Sequence, residues 1–326
     1  MNFAEFQSLR QKLKRQQPSF HDCAETNLYR ALAHLAPAPN KSSEKIYRCD
    51  LARQWCEYFG FAAGLSPQTL VSGGVRDSLS RLFNHCHQHQ SCVWLPADCY
   101  PVYAELAMKA RCKIQLYTSF PVLDWPQAMP TESEEILLLT NPLKPHGRPL
   151  DEADIRQLEQ WLASSPRRRL WIDCVYTFDT QLDTGSLRLF AGGQTLLLHS
   201  LTKGWLHPRL FGTTMVPHCD LDILLPLFRE TPPPQANLAV ARACLDIYHD
   251  TPKQVGASLR KARAAMLEVL PAAVAFGLHD TTGYFFPTCH RWSDLFAEQN
   301  ILGLPATVFG ASNDDFTILS SLAFAS

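Results

Sequence analysis

The chain has 326 residues, 46% of them hydrophobic and 19% charged, with a formal net charge of -1. That is more chain than one core usually organises, so two lobes or one large α/β domain is expected, and the near-zero charge gives no electrostatic case for nucleic acid or an acidic membrane surface. No helix-length apolar run or leader pattern stands in the sequence, which opens on the charged, amphipathic MNFAEFQSLRQKLKRQQ, so a cytoplasmic protein is expected.

In chain order, residues 1–60 read as helical with a break at the Pro-Asn-Lys-Ser-Ser loop near 39–43, after which Tyr47, Leu51, Ala52 and Trp55 begin an amphipathic helix. Residues 70–83, LVSGGVRDSLSRLF, give a short strand, a Gly73-Gly74 turn and a helix from about Arg76. Glycines ahead of a helix N-terminus offer unpaired amides to an anion such as phosphate, and a tight turn with positive φ accounts for them equally well. The eleven cysteines are scattered with no CxxC pair and read as small core residues of a reduced protein. His85, Cys86, His87, His89 and Cys92 cluster at the end of this helix without spaced partners elsewhere, which favours a solvated helix end over a metal site.

Strand-like runs follow at 92–96, 113–117, 136–140, 170–174, 195–198 and 212–216, with helical patterns at 102–110, 150–163 and 187–190 between several of them. Such alternation predicts a mostly parallel sheet covered on both faces, with ligands at the carboxyl ends of the strands. After Thr231-Pro232-Pro233-Pro234 the character changes to long helices at 238–248 and 254–270, then strands at 283–288 and 316–323 around a helix at 293–300. This predicts a smaller α+β lobe that packs with the N-terminal helices.

Three strand ends carry candidate chemistry. LLTNPLKPHG ends a strand in Asn141-Pro142, LWIDCVYTF ends one in Asp173 with Tyr176 three residues on, and TLLLHSLTKG ends one in Ser200, Thr202 and Lys203. A lysine delivered by a buried strand is costly as a structural ammonium and suits Schiff-base chemistry, in which a half-buried amine loses its proton and attacks an aldehyde; a surface lysine at a strand end is the plainer alternative. An asparagine, an aspartate and a lysine on successive strand ends would converge on one crevice.

These motifs resemble the aminotransferase class I/II branch of the fold-type I pyridoxal-phosphate enzymes: Asn141, Pro142, Pro145 and Gly147 match Asn-Pro-x-x-Pro-x-Gly, Asp173 and Tyr176 match Asp-x-x-Tyr, and Ser200, Thr202 and Lys203 match Ser-x-Ser/Thr-Lys. The resemblance implies an α/β fold with a three-layer, aminotransferase-like large domain over 61–231, and a smaller domain from 1–60 and 232–326 that lacks the usual final helix. It implies pyridoxal 5'-phosphate as cofactor, held by Lys203 as an internal aldimine. Lys203 would then serve as general base and acid, Asp173 would pair with the pyridine nitrogen, and Asn141 and Tyr176 would donate to the ring oxygen. Tyr100 would stack on the ring. Ser200, Arg209, the amides around Gly74, Val75 and Arg76, and Thr202 as helper would hold the phosphate, and Tyr47 would reach the phosphate of a partner subunit in a homodimer.

Two departures bear on the reaction. Arg209 lies six residues after Lys203 where the family's phosphate arginine lies eight after, and Leu319 stands where the family has the arginine that grips the substrate α-carboxylate. Leucine does not replace a bidentate guanidinium, so another group such as Arg291 or His207 holds the carboxylate, or the substrate has none. The expected activity is an aminotransferase acting on an atypical amino acid or amine in specialised biosynthesis. The alternatives are a decarboxylase, lyase or cyclase on the same cofactor, and a degenerate relative that only binds.

Overall fold

The computed structural model describes every residue except 18, 39–44, 62, 100, 128–131, 179–180, 208–210, 276–282 and 326. Its N-terminal helix α1 (Phe3–Gln16) is closed by a capping box between Asn2 and Glu5. The expected helical stretch does not continue through residue 60. His21–Asp22 instead runs extended and pairs in parallel with Ile301–Leu302, so the N-terminal segment joins the C-terminal lobe through backbone hydrogen bonds before α2 (Arg48–Tyr58).

Seven strands form the main sheet: β1 (Thr69–Ser72), β2 (Cys92–Pro96), β3 (Lys113–Tyr117), β4 (Glu135–Thr140), β5 (Arg168–Asp173), β6 (Thr195–Ser200) and β7 (Gly212–Met215). Their order is β1-β7-β6-β5-β4-β2-β3, and every neighbouring pair is parallel except those made by β7. Alternation on the central strands explains the three layers. Leu137, Leu139, Leu170, Ile172 and Leu197 point into one core with Trp55, Trp161 and Trp205, while Ile136, Leu138, Trp171, Leu196 and Leu198 point into the other with Leu79, Phe83 and Phe228. A sheet buried on both faces needs such continuous apolar runs.

The layers are supplied by α3 (Val75–His89), α4 (Val102–Lys109), α5 (Glu152–Ala163), α6 (Thr184–Ala191), α8 (Leu221–Arg229) and α9 (Gln235–Asp246), while the single turn α7 (Leu201–Gly204) follows β6 directly. The sequence reading omitted α8, whose Pro226 lies inside the helix and reads as a breaker. Helix α10 (Thr251–Val269) leads to the second lobe, a three-stranded antiparallel sheet of β8 (Phe285–Thr288), β9 (Leu304–Pro305) and β10 (Thr317–Ser320) flanked by α11 (Trp292–Gln299). The run expected as a strand to residue 323 turns into a 3-10 helix at Ser321. None of the described helices is long and apolar enough to cross a membrane.

One core residue has a thermodynamic consequence. His199 on β6 is buried between Trp55, Phe59 and Trp205, with ring centroids 5.7, 4.8 and 6.5 Å away, and neither of its nitrogens has a hydrogen bond among the described residues. Burial pulls its pKa down to about 3, so the fold holds it neutral. Between about pH 6.5, where an unfolded histidine titrates, and that lowered value, the unfolded chain binds the extra proton. Stability therefore falls with acidification, by up to about 1.4 kcal/mol per pH unit from this group. His199→Phe is expected to flatten the acid limb of a denaturant-midpoint-versus-pH curve, and an unchanged slope excludes His199 as its source.

Candidate active site

The sheet register gathers the predicted residues at one edge. Thr140 pairs with Asp173, Asp173 with Leu198, Ser200 with Gly212, and Gly212 with Ser72, so the motifs of β4, β5 and β6 and the glycine turn after β1 lie along the same row of strand ends. Gly212 permits this closeness, because a Cβ there would stand 2.6 Å from Cα of Gly74. Gly74 has φ 120°, and α3 starts at the next residue with no side chain capping its first turn. An uncapped N-terminus of a fifteen-residue helix beside the Ser200 hydroxyl is suited to an anion. Ser200 itself is buried and accepts a 3.3 Å hydrogen bond from the Thr202 amide, which fixes the turn that presents Lys203. Arg76 projects from an exposed position.

Lys203 Nζ donates to the Tyr284 hydroxyl at 3.2 Å and lies 5.4, 5.7 and 5.9 Å from the ring centroids of Tyr176, Tyr29 and Tyr284. Three tyrosines from three parts of the chain thus enclose the amine. The Tyr176 and Tyr284 hydroxyls are 3.5 Å apart. Asp173 is buried; its Oδ1 accepts from the Val175 amide at 3.0 Å and its Oδ2 from the Tyr103 hydroxyl at 2.6 Å. Burial pushes the Asp173 carboxyl up, against the opposing pull of Tyr103, Val175, Lys144 and Lys203. Each oxygen keeps a second lone pair, so the carboxylate retains capacity for a further N–H donor.

Asn141 differs from expectation. Its Nδ2 donates to Asp183 at 2.7 Å and to Ser186 at 2.9 Å, and its Oδ1 accepts from the Leu150 amide at 3.1 Å. Both amide hydrogens are therefore spent on the start of α6, where Asp183 is the N-cap, and none is left to donate to a ring oxygen. The residue of that stretch which does reach the Tyr176 ring is Lys144, whose Nζ stands 3.2 Å from its centroid. Sequence reading missed it, along with Tyr103, Tyr29 and Tyr284.

Tyr47 is 55% exposed, with Lys45 Nζ 5.2 Å over its ring. Tyr100 and Arg209 lie outside the described residues. Leu319 is fully buried in an apolar cluster with Cys23, Met266, Phe286 and Ile301, separate from the cluster that holds Tyr176 and Tyr284. Of its suggested substitutes, Arg291 is paired at 2.9 Å with Asp315, and His207 is half-buried with its pKa lowered by burial, which disfavours the cationic form. In the histidine and cysteine run, Cys86 is buried and His87 Nδ1 is 3.0 Å from the Arg111 carbonyl; among the described residues no group of three or more such side chains is placed to hold a metal. A cleft of about 380 Å³ opens beside Tyr176 and is bounded by Asn141, Pro142, Phe178, Lys253 and Arg260.

No protein-family model and no curated relative matches the sequence. Solved structures do match. The aspartate aminotransferase from Rhizobium meliloti superposes with a TM-score of 0.70 over 100% of this chain and 94% of its own, at 15% identity. The fold is that of the aminotransferases and related fold-type I pyridoxal-phosphate enzymes. Within that fold, L-threonine-O-3-phosphate decarboxylase from Porphyromonas gingivalis gives a TM-score of 0.59, 14% identity, and coverage of 92% of this chain and 93% of its own. The pyridoxal-phosphate-dependent cyclase OrfR gives 0.62, 18% identity, and 96% and 91% coverage. The aminotransferase fold thus accommodates several outcomes at a similar likeness, and the reaction must be argued from this chain's own residues.

Proposed function

We propose that the protein is a pyridoxal-phosphate-dependent enzyme that transfers an amino group to or from an atypical amino acid or amine. The observation that carries this reading is the Lys203 amine, enclosed by Tyr29, Tyr176 and Tyr284 and coupled to the buried carboxylate Asp173. These residues fit the cofactor: an amine for its aldehyde, a carboxylate with a free lone pair for its ring nitrogen, and an uncapped helix start with the Ser200 hydroxyl for its phosphate. The cofactor, once bound, supplies an electron-accepting ring that lets a bond at the substrate's amine-bearing carbon break.

The protein's part is to hold and to move protons. Asp173 keeps the ring nitrogen protonated, Tyr176 hydrogen-bonds the ring oxygen, and Lys203 takes and returns the proton at the substrate carbon. Asn141, with its amide committed to Asp183 and Ser186, braces the turn instead of contacting the ring. In this reading Gly74, Val75, Arg76, Ser200, Thr202 and Arg209 would hold the phosphate, and Tyr100 would be the residue that meets the ring. The proposed division is a large domain over 61–231 and a smaller one from 1–60 and 232–326, with α2 and α9 of the flanking segments packing into the large domain's core. Exposed Tyr47 is available to a second subunit, in keeping with a cytoplasmic homodimer.

The burial of Leu319 away from the site, with Arg291 engaged by Asp315, favours a second reading on the same cofactor: decarboxylation, elimination or cyclisation. The two separate on their products, a keto compound with pyridoxamine phosphate for transfer, and carbon dioxide or an unsaturated fragment for the other.

Titration of the purified protein with pyridoxal phosphate is expected to give a visible absorbance band. Borohydride should then fix the cofactor on the peptide that contains Lys203, as read by mass spectrometry. A folded protein with no band, or with label spread over surface lysines, sinks the reading.

A further inference from the structure

A lysine whose amine has no polar partner among the described residues stands beside Lys203. Lys144 sits on a turn fixed at several points: its amide donates to Thr140 Oγ1 at 3.0 Å, its carbonyl accepts from Ser119 Oγ at 3.1 Å, and the Gly147 amide closes on the Leu143 carbonyl at 2.7 Å. From that turn its Nζ reaches 3.2 Å from the Tyr176 centroid, 5.0 Å from Phe285 and 5.5 Å from Tyr284, so it faces two of the tyrosines that enclose Lys203. Among the described residues the Lys144 amine makes no hydrogen bond and no ion pair. An aromatic face attracts an ammonium, but it serves the three N–H donors less well than an anion does, and enclosure without such a partner costs the charged form more than a ring returns.

Other groups on the turn are engaged elsewhere. His146 Nε2 meets the Ser119 carbonyl, Asp98 accepts from the Ser119 and Phe120 amides, and Arg148 pairs with Asp154. Asp173 and the Cys99 thiol favour a charge on Lys144 from a distance, and Lys203 opposes one; the hydrogen bonds that Asp173 accepts come from Tyr103 and Val175. The phenols of Tyr176 and Tyr284 are uncharged near neutral pH. Burial first, and then the charge of Lys203, hold Lys144 well below the ordinary ammonium range, which favours the free amine until an anion arrives.

We propose that Lys144 receives the acidic group of the substrate, a carboxylate, and so takes the role for which Leu319 is unsuited. The inference rests on the reading of Lys203 as the reactive amine and gives that reading a substrate class, amines that carry a carboxylate. The two residues suggested by the sequence are less available: Arg291 is held by Asp315, and burial disfavours the cationic form of His207. A buried lysine changes its protonation readily. Entry of a carboxylate brings the counter-charge and the acceptor that aromatic faces lack, so Lys144 takes a proton from solvent as the anion binds, and the contact becomes a charge-assisted N–H···O hydrogen bond. An amine without a carboxylate brings no such partner and is discriminated against by that difference.

Calorimetric titration of the cofactor-free protein with phenylacetate, and with phenylacetamide as the uncharged control, tests this across the neutral to alkaline range. The acid is expected to bind at least about tenfold more tightly than the amide, a modest difference for one charge-assisted contact. Its heat should vary with the ionisation heat of the buffer, because a proton is taken up. Affinity for the acid should fall about tenfold per pH unit above the midpoint of the free amine. Lys144→Met should weaken the acid by about tenfold or more and remove the proton uptake. Lys144→Arg, permanently charged, should keep the binding and lose the uptake. No preference for the acid over the amide, acid binding unmoved by Lys144→Met in a protein with unchanged circular dichroism, or binding that takes up no proton at any pH overturns the proposal. If the methionine variant does not fold, Lys144→Gln and the wild-type proton uptake decide. Because no cofactor is present, failure to bind pyridoxal phosphate would remove the enzyme reading and leave this result standing.

Discussion

Lys203→Ala is expected to lower the rate with the best substrate of an amine panel by about 10³- to 10⁴-fold, the upper part of the range for a removed general acid and base. The estimate rests on position. The β6 strand ends at Ser200, the Ser200 hydroxyl caps the following turn, and the turn delivers the amine among Tyr29, Tyr176 and Tyr284. Alanine is compatible with the helical turn α7, so the variant should fold, and circular dichroism checks that. Loss of the visible cofactor band together with the rate is the expected pattern. A variant that keeps more than about a tenth of the wild-type rate assigns the proton transfers elsewhere.

Asp173→Asn is the second large effect, a loss of about 10²- to 10³-fold, typical of removing one preorganised electrostatic group from an enclosed site. Asparagine preserves the shape and can still accept from the Val175 amide, which Asp173 now does at 3.0 Å. It removes a carboxylate that faces both Lys144 and Lys203. The direction of the accompanying pH effect follows: without that anion both amines release protons more readily, so the acid limb of the rate profile should move to lower pH as the maximum falls. A rate loss below threefold, or a limb that moves to higher pH, contradicts the assigned role.

The parts of this site that lie on strands are the parts the sequence made legible. Apolar runs before Asp173 and Ser200 are buried on both faces of a parallel sheet, and in a chain whose strands alternate with helices such short continuous runs belong to the sheet interior. Lys203 follows from them. Tyr103, Tyr29 and Tyr284 come from helix and loop positions in separate regions of the chain, and no local pattern distinguishes a tyrosine that reaches an amine from one that fills a core. Asn141 shows the opposite failure. An asparagine at a strand end reads as a ligand donor, whereas here a capping aspartate 42 residues on claims its amide. Lys144 went unnoticed between two prolines, and its importance emerges only when the turn brings it over Tyr176. In the second lobe, the extended pairing of His21–Asp22 depends on Ile301–Leu302, a partner too distant for propensity to register.

The commitment of Asn141 to Asp183, Ser186 and Leu150 also bears on how the protein's specificity changes over generations. Among the described residues, the Asn141 amide ties the bend that carries Lys144 to the start of α6. A substitution at Asp183, which also lines the cleft beside Tyr176, or at Ser186 removes one of those hydrogen bonds and is expected to loosen the bend that carries Lys144. Variation at those two positions offers drift a fine adjustment of the crevice, reached without the loss of any residue on which the chemistry depends.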